Sequence, residues 1–100
     1  MSEHEAWPQD LAPRLAYSGD FHAGTITYIE GPIRFDLWHE MGGGACRFFI
    51  NLPTAAHWAG ATGTPLTRRD AIVAFVAETV RHEKASGWHY VIEDSQITFY

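Results

Sequence analysis

Apolar and polar residues alternate between positions 21 and 53, and glycines separate the alternating runs. A period of two is typical of strands that bury one face. The runs cover 25–30, 33–41 and 45–52, with Gly31-Pro32 and Gly42-Gly43-Gly44 between them. This pattern predicts a three-stranded antiparallel meander joined by tight turns.

The register of the meander follows from keeping its apolar residues together, because a slip of one residue moves every side chain to the opposite face. A loop of two or four residues at the three glycines satisfies this condition. It predicts four pairs across that loop: Met41 with Cys46, His39 with Phe48, Leu37 with Ile50 and Phe35 with Leu52. The same parity at the first turn predicts Tyr28 opposite Phe35 and Ile26 opposite Leu37. One face of the sheet is therefore predicted to be core.

The alternation gives way to a helical period after residue 66. Thr67 is the predicted N-cap, Asp70 follows three positions later, and Gly87 is the predicted stop. The apolar face of this helix consists of Ile72, Val76, Thr79 and Val80, with Val73 and Phe75 at its edges. An apolar stripe of this kind predicts packing against one face of the sheet.

Two short apolar runs at 88–92 and 97–100 predict a closing β-hairpin. The predicted fold is α+β, in the order β-β-β-α-β-β: an antiparallel β-meander extended by a C-terminal β-hairpin into a mixed sheet of about five strands, with one amphipathic α-helix packed on one face. A right-handed helical crossover gives the third and fourth strands the same direction, and the position of the fourth strand stays open. Residues 1–13, with two prolines and no periodicity, are predicted to be an irregular N-terminal arm, and residues 14–100 a single domain.

Composition and charge narrow the possible partners. A chain of 100 residues with 46% hydrophobic content can fill one core, and a net charge of −5 with one lysine argues against nucleic acid. No apolar run approaches a membrane span, and the start lacks the features of a signal peptide, so no membrane partner and a cytoplasmic location are expected. The single cysteine, Cys46, agrees with a reducing compartment.

The candidate chemistry is sparse. Cys46 and His39 share a face in the predicted register and lie within reach of a thiol–imidazole pair, but that face is the predicted core. The six histidines lack the spacing of a metal motif, and a strand follows the three glycines where a phosphate-binding loop would need a helix. No catalytic residue, metal or cofactor is predicted.

The outer face of the meander, which the helix leaves uncovered, is the predicted binding surface, with Trp38, Phe49, Arg47 and Ile29 as its site residues. The leading expectation is a non-enzymatic interaction or accessory module that uses this face for a protein partner or for self-association, such as a homodimer. The N-terminal arm, with Trp7 and Leu11, is the intramolecular alternative for covering it. The alternative function is a small-ligand-binding protein or an enzyme, with a pocket between helix and sheet near His39, His57 and Trp58.

Overall fold

A computed structural model describes residues 12–100, so most of the predicted arm lies outside the described residues. Six strands form one sheet: β1 (Arg14–Gly19), β2 (Ala23–Glu30), β3 (Ile33–Met41), β4 (Phe48–Asn51), β5 (Tyr90–Ile92) and β6 (Gln96–Phe99). The α-helices are α1 (Trp58–Thr62) and α2 (Arg69–Lys84), preceded by 3-10 turns at Ala55–His57 and Leu66–Arg68. The strand order is β1-β2-β3-β4-β6-β5. The predicted α+β fold, a meander with a C-terminal hairpin and a helix on one face, is confirmed.

The register of the meander is confirmed at its first turn and wrong at its second. Tyr28 lies opposite Phe35 as predicted, but Met41 lies opposite Phe48 instead of Cys46. Six residues, 42–47, connect the two strands, and the Gly42 N–H donates to the Arg47 carbonyl at 3.0 Å, which continues the observed register by one step. The shift is two residues, an even number, so the predicted faces are preserved.

The predicted mixed sheet is also wrong, because every neighbouring pair in the described sheet is antiparallel. β4 and β5 do run in the same direction, as the crossover requires, but β6 lies between them. The order decides which side chains are covered. Ile97 and Phe99 of the interior strand β6 are fully buried, whereas Val91 and Ile92 of the edge strand β5 are exposed.

Strand β1 was not predicted. It pairs with β2 along its whole length, from Arg14 opposite Ile29 to Gly19 opposite Gly24. Only Leu15 and Tyr17 turn toward the core, and both remain half-buried. Two apolar positions in a mostly polar edge strand give too weak an alternation to be recognised from the sequence.

The buried face of α2 closes the core over the sheet. Its buried apolar side chains are Ile72, Val73, Val76, Ala77 and Val80. Thr79, which was predicted to lie on this face, is only half-buried. The N-cap prediction is wrong: Thr67 lies within the 3-10 turn, and Arg68 occupies the cap position, where its side chain makes no capping hydrogen bond within residues 12–100.

Two polar clusters fix the start of α2. Arg68 Nη2 lies 3.0 Å from Glu30 Oε1, and the buried Tyr28 hydroxyl donates to the same oxygen at 2.7 Å. Burial and the neighbouring carboxylate together raise the pKa of Tyr28 to about 12. Arg69 donates to the carbonyl oxygens of Pro53 and Asp94, which ties the helix to the segment after β4 and to the turn between β5 and β6. Within residues 12–100 no helix combines the length and the apolar character needed to cross a bilayer.

Candidate functional site

A cavity of about 290 Å³ lies between the C-terminal half of α2 and the inner face of the sheet. We call it the His39 cavity. Its lining residues are Tyr17, Ser18, Gly19, Asp20, Phe21, Ile26, His39, Phe48, Val80 and Lys84. They come from β1, β2, β3, β4, α2 and the turn between the first two strands. Most of the lining is apolar, with a few polar groups, as is typical of small-molecule sites.

The turn between β1 and β2 forms the rim of this cavity. Gly19 has a φ of 91°, which a residue with a side chain rarely adopts. Asp20 Oδ1 accepts hydrogen bonds from the backbone N–H groups of His22 and Ala23, at 2.9 and 3.2 Å. These two bonds lower the pKa of Asp20, so it stays ionised at neutral pH.

Aromatic rings line the cavity next to this turn. Phe21 packs edge-on against Phe48 and Trp88, with ring centroids 6.4 and 6.3 Å apart, yet it remains 55% exposed. Phe48 is held in turn by a face-to-face stack on Phe99. The cavity therefore has one fixed aromatic wall, Phe48, and one aromatic group at the solvent boundary, Phe21.

His39 contributes an imidazole from β3. Its Nδ1 is buried and has no hydrogen-bond partner within the described part of the chain. Burial lowers the pKa of His39, and the negative charge of Asp20 opposes this only in part. The neutral ring is favoured because a protonated ring would bury an N–H donor at Nδ1 without an acceptor.

Gly24 makes room for the His39 ring. It is the cross-strand partner of His39, and a Cβ placed on it would lie 3.1 Å from His39 Nε2 and collide with the Ser18 carbonyl oxygen. Any larger residue at position 24 would therefore displace either the imidazole or strand β1. The glycine explains why a histidine fits on the inner face of this sheet.

Lys84, the last residue of α2, brings a cation to the cavity. Its Nζ lies 4.5 Å from the centroid of the Tyr17 ring, a cation–π geometry. The Tyr17 hydroxyl donates to Glu83 Oε1 at 2.6 Å. Burial and this carboxylate raise the pKa of Tyr17 far above its ordinary value, so the phenol remains a hydrogen-bond donor.

Three of the predicted binding residues lie on the outer face. Trp38 is 46% exposed and donates from Nε1 to Glu40 Oε2 at 2.8 Å. Ile29 and Phe49 are half-buried. The predicted pairing of His39 with Phe48 would have placed Phe49 opposite Trp38. Phe49 lies opposite Glu40 instead, so the two rings are diagonal neighbours.

The fourth predicted binding residue, Arg47, precedes β4. Its guanidinium lies over the ring of Trp88, 4.7 Å from the centroid. Trp88 packs against the core cluster, and its ring also contacts Phe48 and Phe21. Arg47 is thus bound to the aromatic group beside the His39 cavity.

Of the three residues predicted to lie near a pocket, the structure places only His39 in the cavity lining. His39 lines the cavity, but His57 is exposed near Thr54 and Trp58 is completely buried, with Nε1 donating to Thr64 Oγ1 at 2.9 Å. Cys46 lies in the loop before β4, with Sγ 3.6 Å from the Phe48 carbonyl oxygen, and it does not line the cavity. Within residues 12–100, no three His, Cys, Asp or Glu side chains are grouped so that they could hold a metal ion.

Sequence reasoning missed most of the cavity. Tyr17, Asp20, Phe21 and Lys84 were not predicted as site residues, and only packing brings them together. The one available signal was Asp20 after a glycine, which is typical of a turn. No protein-family model, curated protein or solved structure matches this chain, so the function has to be argued from its own residues.

Proposed function

We propose that this protein binds a small, largely apolar ligand in the His39 cavity. The observation that carries the proposal is the cavity itself, which has apolar walls from Ile26, Phe48 and Val80. An apolar cavity of this size reduces the stabilisation from packing, because the lining atoms lack van der Waals contacts on one side. A ligand that fills it would regain those contacts.

The site suits binding better than catalysis. Burial lowers the pKa of His39, which favours the neutral imidazole that could act as a base, but the described lining offers it no cysteine or threonine to activate. Ser18 contributes a hydroxyl to the lining that could act as a nucleophile. Within residues 12–100, however, no hydrogen bond joins it to His39. A nucleophile without a base in contact supports a binding role.

A titration with 4-phenylbutanol, an uncharged probe, tests this proposal by NMR. We expect amide shift changes that cluster at the cavity residues, among them Ile26 and Val80. Phe21→Ala removes an exposed ring at the rim and should weaken binding about tenfold, which corresponds to ~1.4 kcal/mol. Trp38→Ala removes a larger aromatic side chain from the outer face and should leave the affinity unchanged.

The proposal would be wrong if millimolar probe left the cavity amides unshifted. It would also be wrong if Trp38→Ala weakened binding as much as Phe21→Ala, because binding would then follow general exposure of aromatic surface.

The outer face is the second candidate, as a self-association surface. The observation in its favour is Trp38, which keeps 46% of its surface exposed beside the half-buried Phe49. Arg34 and Asp36 alternate in sign along β3, so a two-fold axis that passed between them would bring the opposite charges of two copies together. This supports a second copy of the chain as the occupant.

A further inference from the structure

Lys84 is the cation in the lining of the His39 cavity. It is the only lysine in the sequence. Within residues 12–100 its ammonium takes part in no hydrogen bond or ion pair, and its one recorded interaction is with the Tyr17 ring at 4.5 Å. An ammonium has three N–H donors, and a π face satisfies none of them as an acceptor oxygen would.

The carboxylates beside Lys84 are already engaged. Asp20 Oδ1 accepts two backbone N–H groups, and His22 Nδ1 lies 3.8 Å from the same oxygen. Glu83 accepts the Tyr17 hydroxyl at 2.6 Å. Those hydrogen bonds do not cancel the charge of Asp20 or Glu83, but within residues 12–100 neither carboxylate is paired with Lys84, so its ammonium remains available to an acceptor from a ligand.

We infer that the ligand of the His39 cavity is a small amphipathic carboxylic acid, with an aryl or alkyl tail. This inference rests on the proposed function. The tail lies between Phe48, Phe21 and Val80, and the carboxylate accepts a charge-assisted hydrogen bond from Lys84 Nζ. Such a ligand uses both the apolar walls and the free cation.

A matched pair of probes tests the inference. 4-Phenylbutyrate and 4-phenylbutanol share a ring and a chain and differ in the terminal group. By isothermal titration calorimetry at low salt, we expect the acid to bind about tenfold more tightly than the alcohol. The net negative charge of the protein opposes this preference, so a preference for the acid requires a local cation.

Three variants locate that cation. Lys84→Gln should remove the preference for the acid, because the carboxylate loses a charge-assisted hydrogen bond that the uncharged alcohol does not have. Lys84→Arg keeps the charge and should retain most of the preference. Arg81→Gln is the matched control, because it removes the same charge one turn earlier on α2 from a residue that pairs with Glu78 outside the cavity, and it should leave the preference intact.

The possible failures are distinguishable. Equal binding of acid and alcohol at the cavity of the wild type would overturn this inference while the proposed function stands. A loss of the preference in Arg81→Gln as large as that in Lys84→Gln would also overturn it, since the effect would then be one of overall charge. If neither probe binds, both the inference and the proposed function are wrong.

Discussion

Phe48 and Phe99 stack with their ring centroids 4.5 Å apart and their planes 6° from parallel. They are direct cross-strand partners, Phe48 in β4 and Phe99 in β6. The stack joins the meander to the C-terminal hairpin, and Phe48 also forms part of the wall of the His39 cavity. The same contact therefore contributes to sheet stability and to the shape of the candidate site.

Energetic coupling between these two rings can be measured with Phe48→Leu, Phe99→Leu and the double variant. We expect a coupling free energy of about 0.5–1.5 kcal/mol, since stacked rings contribute beyond their buried area. The measurement is urea unfolding followed by circular dichroism. A second cycle of Phe49→Leu with Phe99→Leu serves as the control, because Phe49 lies on the opposite face; equal coupling in both cycles would contradict the assignment.

Thr64→Val should destabilise the fold by about 1–3 kcal/mol, because it leaves the buried Trp58 Nε1–H without an acceptor. The substitution nearly preserves the side-chain volume, so the loss reports the hydrogen bonds of the Thr64 hydroxyl with Trp58 and Thr62. Thr67→Val is the matched control at an exposed position and should have little effect. Equal unfolding free energies for Thr64→Val and the wild type would show that the indole finds another acceptor.

Acidification should destabilise the protein through His39. Its pKa in the folded state lies below the ordinary value of 6.5, chiefly because of burial, so the unfolded chain binds the proton more readily. This contribution is fully present above about pH 6.5 and is lost as the pH falls below that value. Denaturant unfolding across this window should show a smaller decrease for His39→Gln than for the wild type.

His82→Gln is the control for this measurement, because His82 is exposed on α2. It should keep the pH dependence of the wild type. If His39→Gln and His82→Gln had the same pH profile, the buried Nδ1 would play no part in the acid response.

Self-association through the outer face remains a prediction. If it occurs, Trp38→Glu should give a folded monomer, since a charge at the centre of an interface is costly. Light scattering on the wild type and on Trp38→Glu measures the change. Leu66→Glu, which alters another exposed apolar residue, is the control and should leave the wild-type state unchanged. A monomeric wild type would contradict the prediction.

The sequence predicts which face of the sheet a side chain occupies better than it predicts the residue opposite it on the next strand. Side-chain alternation places Ile26, Leu37 and Ile50 correctly in the core because parity survives an error of two residues. It does not specify the length of the loop after Met41, which backbone hydrogen bonds determine.

The candidate site was harder to predict for a different reason. Asp20 and Phe21 come from a turn, and Lys84 from a helix end far along the chain. No local sequence pattern indicates that these residues lie close together in the fold. His39 was recognised because the predicted register places it on the apolar face, while the glycine that accommodates it, Gly24, belongs to the neighbouring strand.

The position of β6 between β4 and β5 has a consequence for how the chain reaches this fold. Strands β1 to β4 can pair locally as the ribosome delivers them, but β4 then has an unpaired edge until β6 has been synthesised. Closing contacts between segments so distant in sequence slows folding. During that interval the exposed edge, which carries Phe48 and Ile50, can pair with the same edge of another nascent chain. The nascent protein is therefore most prone to aggregate before β6 is in place, and chaperone dependence should concentrate in that interval.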